Sequence, residues 1–205
     1  MVEIHDARVA GTFPVYPPKH RKAGRARAYR QQRTREQLDA YGFHHLGPHL
    51  SADPKPGQTV LGRAVWRAKR QPYHVWVQPG LVVLAWPFEC ITWHGNGLNG
   101  RALGIVVAGN FPGLEAYRRP HHDDPADYAE AIAATLQYLR GELPHVRLLL
   151  THSQYANKPA DPGEGVAKLI TAAGRAMLPP LTPVPSLAVG TGAPWPHEWR
   201  MLGDT

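Results

Sequence analysis

Ala102-Leu103-Gly104-Ile105-Val106-Val107-Ala108 is a run of seven residues without one polar side chain. A strand with one solvated face alternates apolar and polar residues, whereas a strand covered on both faces reads as a continuous apolar run. The stretch therefore predicts a strand in the middle of a sheet that is covered on both sides. Just upstream, Ile91 to Trp93 reads as a short strand leading into the glycine-rich loop His94-Gly95-Asn96-Gly97-Leu98-Asn99-Gly100. Further upstream, Tyr73-His74-Val75-Trp76-Val77 and Leu81-Val82-Val83-Leu84-Ala85-Trp86 flank Pro79-Gly80, the pattern of a two-stranded hairpin.

Helices are expected on either side of these strands. Val60, Leu61, Ala64, Val65 and Ala68 recur at helical spacing over 58–70, with Arg63, Arg67, Lys69 and Arg70 on the other side, until Pro72. Asp124-Pro125 reads as an N-cap with proline at the first helical position, and Ala129, Ile132, Ala133, Leu136 and Leu139 continue the pattern to Gly141. Val146 to Leu150 predicts another buried strand, and Glu164 to Met177 a closing helix. Strands alternating with helices define an α/β class with a mixed central β-sheet flanked by helices.

The ends differ in character. Residues 1–36 read as an N-terminal extension, because Lys19 to Arg35 holds eight Lys or Arg and no acid. Its readings are a solvated arm and a polyanion-binding one; Tyr29 alone is thin for stacking on bases. Residues 37–178 form the expected domain. Residues 179–205 form a tail in which repeated prolines forbid a helix, with Trp195 and Trp199 available to dock it.

The 205 residues suffice for one domain with a sizeable core, and the formal net charge of +7 favours anionic partners, among them nucleic acid and cell-wall polymers. Cys90 is the single cysteine, which excludes an intrachain disulfide and a cysteine-based zinc module. Any metal must be held by histidine and carboxylate. The longest apolar runs are too short to span a bilayer, and no apolar signal segment follows Met1, so the expected site of synthesis is the cytoplasm.

Twelve histidines are present, and their contexts sort them. His152 follows the strand Val146–Leu150, and Asp161 lies nine positions on in an Asp-Pro-Gly loop that also holds Lys158. A strand-end histidine and a nearby carboxylate can supply two metal ligands, and catalytic zinc usually takes three. His44-His45, directly after the extended Tyr41–Phe43, is the best source of the third; His49, His94 and the cluster His121-His122-Asp123-Asp124 compete with it. The acids of that cluster are accounted for by helix capping, which leaves His121 and His122 facing solvent. His74 alternates with Tyr73 and is expected on the opposite face, in a structural role. Cys90 is expected as a buried thiol.

Five segments in order resemble the type-2 N-acetylmuramoyl-L-alanine amidases, a family that includes phage lysins and animal peptidoglycan recognition proteins. They are Phe43-His44-His45, Tyr73-His74-Val75, Trp93-His94-Gly95-Asn96, Leu103-Gly104-Ile105, and Thr151-His152 through Lys158 to Asp161-Pro162-Gly163, covering about residues 40 to 178. The resemblance implies zinc bound by His44, His152 and Asp161, with Asp161 where many relatives have cysteine. It places Tyr73 and Lys158 on the family's catalytic positions. Trp93, His94, Asn96 and Asn99 would line the groove for glycan or stem peptide. Leu46 stands where Thr or Ser is usual, which leaves open whether His44 or His45 points inwards. Val106 replaces a glutamate that some relatives use as a base, leaving the version of catalysis that uses Tyr and Lys. Two residues, Pro159 and Ala160, separate Lys158 from Asp161, where one is common.

The implied function is zinc-dependent hydrolysis of the amide joining N-acetylmuramic acid to L-alanine in peptidoglycan. The enzyme would act on the wall after release, as a phage-type lysin does, or on wall fragments in the cytoplasm. One alternative is a peptidoglycan-binding module of the same fold that does not cut, against which a complete ligand set with Lys158 argues. The other is a nucleic-acid-binding protein that uses residues 19–35.

Overall fold

A computed structural model describes residues 1–10, 32–46, 59–92, 94, 98–111, 122–155 and 161–185. Seven strands form one sheet: β1 (Glu3–Asp6), β2 (Ala40–Leu46), β3 (Val75–Gln78), β4 (Leu81–Leu84), β5 (Ala102–Ala108), β6 (Leu148–Thr151) and β7 (Thr182–Pro183). Their spatial order is β1-β4-β3-β5-β2-β6-β7. Every pairing is parallel except that of β3 with β4, so the sheet is mixed, as expected.

The apolar run Ala102–Ala108 is β5, buried at all seven positions. It lies between β2 and β3, with Phe43 opposite Ile105 and His44 opposite Val106 on one side, and Val75 opposite Ile105 on the other. The hairpin forms as the sequence predicts, and Gly80 takes the positive φ of 70° that its turn requires.

Four α-helices are described: α1 (Val60–Ala68), α2 (Ala129–Glu142), the single turn α3 (His152–Tyr155) and α4 (Glu164–Arg175). Thr59 caps α1 by accepting the Gly62 N–H at 2.9 Å. Asp124 caps as predicted, accepting from Ala126 N–H, but the first turn, Pro125–Tyr128, is 3₁₀ before α2 begins. The two faces of the sheet are distinct. On one, Tyr41, Phe43, Val75, Val77, Leu103, Ile105 and Val107 pack against Ile132, Leu136 and Leu139 of α2 and Val166 and Ile170 of α4. On the other, Trp76, Val83 and Val106 pack against Ala64 and Ala68 of α1, with Leu61, Val65 and Tyr73 half-buried around them.

Three expectations need correction. Ile91 and Thr92 are not a strand; the local ladder is a single bridge between Cys90 and Gln32, because Thr92 is drawn onto His74 instead. The sheet also extends beyond 37–178 at both ends. Glu3–Asp6 joins it through β4, and Thr182–Pro183 pairs with β6 at the opposite edge, where the missing N–H of proline is tolerated. Arg33, within the stretch read as either a solvated or a polyanion-binding arm, is buried. Most of the basic arm, and the tail beyond residue 185 with Trp195 and Trp199, lie outside the described residues. Among the described residues no helix is long and apolar enough to cross a membrane.

Candidate active site

Strand alternation decides between the two adjacent histidines. His45 shares the face of Tyr41 and Phe43: its ring meets Phe111, with centroids 5.7 Å apart, and its Nε2 donates to the Gly109 carbonyl at 2.6 Å. His44 points to the other face, where it stands beside Val106 and is fully buried. There its ring centroid lies 4.5 Å from that of His152, 4.8 Å from that of Tyr73 and 5.1 Å from that of His94. The inward-pointing histidine is therefore His44.

His152 arrives because β6 runs parallel to β2 and ends beside Phe43, at Thr151, so the next residue opens at the same rim of the sheet. Asp161 is brought back onto it by its own backbone: the Ser153 N–H donates to the Asp161 carbonyl at 3.0 Å. Gly163, with φ of 98°, then turns the chain into α4, which explains the glycine of the Asp-Pro-Gly loop. The Asp161 carboxylate accepts the His45 backbone N–H at 2.7 Å and meets His152 Nδ1 at 2.8 Å. His152 and Asp161 are 8% and 6% exposed, so the pair lies at the floor of the rim.

Two imidazoles and a carboxylate, all buried, with His152 in contact with both His44 and Asp161, are a donor set whose chemistry suits zinc. Among the described residues, no three such groups stand at metal-binding separations. The 2.8 Å between His152 Nδ1 and Asp161 Oδ2 is a hydrogen-bond distance. Two ligands of one tetrahedral zinc stand roughly 3.3 Å apart. The chemistry of these three donors suits such an ion.

A second buried polar system lies beneath this cluster. His74 Nδ1 accepts the Gly104 N–H at 3.1 Å and meets the Thr92 hydroxyl at 3.1 Å, while its Nε2 lies 2.8 Å from the Cys90 carbonyl and 3.0 Å from Arg33 Nη2. Burial first, and then the Arg33 guanidinium, hold His74 well below the usual imidazole range, keeping it neutral. That is the structural role expected of it. Arg33, 5% exposed, donates to the carbonyls of Phe88, Asn99 and Ala102. Its own pKa is pushed down to about 10 by burial, which still leaves it charged at neutral pH.

His94 is expected to line the groove. It is 4% exposed, with Nε2 on the Ala102 carbonyl at 2.9 Å and Nδ1 on His44 Nε2 at 3.1 Å, so both ring nitrogens are engaged inside the protein. Burial, reinforced by Arg33, pushes its pKa down to about 3. Asn99 likewise turns inwards, its Oδ1 accepting the His94 backbone N–H at 2.8 Å. Trp93, Asn96 and Lys158 lie outside the described residues, as do His49 and His121; His122 is exposed, as expected. Arg33 carried no local signal of its role, since its side-chain partners, three backbone carbonyls and the His74 ring, lie more than forty positions away.

The fold and this cluster define an α/β domain with a His–His–Asp group at the rim of a mixed sheet. The sequence profile of the N-acetylmuramoyl-L-alanine amidase family matches residues 22–164, and the chain belongs to that family. Among solved structures it is similar to bumblebee PGRP-SA, with 14% identity over 91% of this chain and 100% of that one and a TM-score of 0.55. It is also similar to Drosophila PGRP-LB, with 13% identity, coverage of 81% and 91% and a TM-score of 0.50. A third similar structure is the Ph2119 endolysin from the Thermus scotoductus MAT2119 bacteriophage Ph2119, at 20% identity, coverage of 82% and 99% and a TM-score of 0.47. No curated protein matches the sequence.

Proposed function

We propose that this protein is a zinc amidase that hydrolyses the bond between N-acetylmuramic acid and L-alanine in peptidoglycan. The observation that carries this reading is the meeting of His44, His152 and Asp161 with Tyr73 at one rim of the sheet. Family membership supports the reaction class. Zinc held by those three residues would acidify a water molecule and act as a Lewis acid towards the scissile carbonyl.

The chain's own residues then have separate tasks. Asp161 is fixed by the His45 N–H, so its second oxygen keeps one direction towards His152. Tyr73, half-buried against His44, orients the attacking water and assists proton transfer through its hydroxyl. Lys158 stabilises the negative charge developing on the carbonyl oxygen. Val106, beside His44, offers no carboxylate, so proton transfer falls to Tyr73 and Lys158.

The test is incubation of the protein with purified peptidoglycan, with and without a chelator, followed by mass spectrometry of the new ends. Free lactyl groups matched by free L-alanine amino termini, absent after chelation and absent with His152→Ala, are expected. Retention on peptidoglycan without new ends would instead identify a binding module.

A further inference from the structure

His94 is held from four directions. Its backbone N–H donates to Asn99 Oδ1, its Nε2 meets the Ala102 carbonyl, its Nδ1 meets His44 Nε2, and its ring packs against Gly104. A Cβ at position 104 would stand 2.7 Å from His94 Cγ and 2.8 Å from Cδ2, so the glycine of Leu103-Gly104-Ile105 is the seat of this ring. The Ala102 carbonyl also accepts from Arg33 at 3.0 Å, which fixes that oxygen in turn.

The protons follow from these contacts. A carbonyl can only accept, so the single proton of a neutral His94 is on Nε2. His94 Nδ1 therefore presents a lone pair to His44, and the hydrogen bond between them requires His44 to donate from Nε2. A neutral His44 then has its lone pair on Nδ1. We propose that His94 is a positioning residue: seated on Gly104 and the Ala102 carbonyl, it holds His44 in the Nε2–H tautomer and leaves Nδ1 as the nitrogen offered to the metal. The tautomer stands on the hydrogen bonds alone; the word metal rests on the zinc reading above. Fixing a ligand's tautomer and orientation through its other nitrogen raises its basicity and its affinity for the ion.

The experiment uses the full chain. Long-range ¹H–¹⁵N correlation spectra of the zinc-free protein at neutral pH report which nitrogen of His44 carries the proton. Zinc dissociation constants come from competition with a chromophoric chelator, for wild type, His94→Phe, His94→Gln and Gly104→Ala, with circular dichroism to verify folding. The expected results are an Nε2–H pattern for His44 and zinc binding weakened about 10- to 100-fold in His94→Phe. Gly104→Ala should lose affinity in the same direction, whereas His94→Gln, which can accept from His44 and donate to Ala102, should recover most of it. An Nδ1–H pattern for wild-type His44, or zinc affinity in folded His94→Phe within twofold of wild type, overturns the proposal. If His94→Phe does not fold, the wild-type spectrum and His94→Gln decide. Wild type that binds no zinc but shows the Nε2–H pattern defeats the zinc reading and leaves the positioning role of His94 standing.

Discussion

Asp161 joins structure to chemistry through its two oxygens, one on the His45 backbone N–H and one on His152. Asp161→Ala leaves a buried donor without its partner, which typically costs about 1–3 kcal/mol. Chemical denaturation of the zinc-free protein should show that loss, separately from any loss of zinc. Tyr73 makes the opposite case. Removing its hydroxyl in Tyr73→Phe keeps the ring against His44, so zinc content should be unchanged while kcat for amide cleavage falls, by about 10²- to 10⁴-fold if the hydroxyl moves the proton. A kcat that is unaffected would remove Tyr73 from the catalytic scheme. The residues brought together here, His44, Tyr73, His152 and Asp161, are ones that short motifs in family order pick out. Those that support them are not legible that way. Arg33 acts mostly on carbonyls, which every residue possesses, and the role of His94 depends on a ring contact fifty positions away.

The elements most legible from sequence are those whose signal comes from burial on both faces or from turn chemistry. Ala102–Ala108 and the hairpin around Pro79-Gly80 are such cases. Two elements escape because their sequences carry neither signal. Glu3–Asp6 alternates weakly, and Thr182–Pro183 is two residues long and contains proline, so only its neighbour β6 makes it a strand. Packing between elements is also tight at Gly174. A Cβ on Gly174 of α4 would stand 2.5 Å from Leu149 Cδ1 of β6, so Gly174→Ala should destabilise the fold by about 1–3 kcal/mol despite improving helix propensity. The denaturation midpoint measures this, and an unchanged or raised midpoint would show that Leu149 can turn aside.

At the scale of the molecule, buried neutral histidines set how stability responds to acid. His74 and His94 titrate far lower when folded than the ordinary value of 6.5. The unfolded chain therefore binds more protons as pH falls below about 6.5, so the stability these groups confer is complete above that pH and declines towards the folded pKa, about 3 for His94. The decline approaches about 1.4 kcal/mol per pH unit for each group. Between pH 6.5 and 5, before most carboxylates titrate, the melting temperature should fall, and a folded His74→Gln variant should fall less steeply. An equal slope in both proteins would assign the acid sensitivity elsewhere.

The parallel order of the sheet also has a consequence for timing. His45 and Asp161, which share a hydrogen bond, are 116 positions apart, and β2 must lie between β5 and β6 before His44 and His152 can meet. Contacts this distant close a long loop before they return any stabilisation, so they form late in folding. A growing chain released only as far as β5 carries His44, Tyr73 and His94 but neither of the groups that complete the cluster. On the proposed reading, wall-cutting capacity is withheld during synthesis and appears at once when the last strand and helix dock.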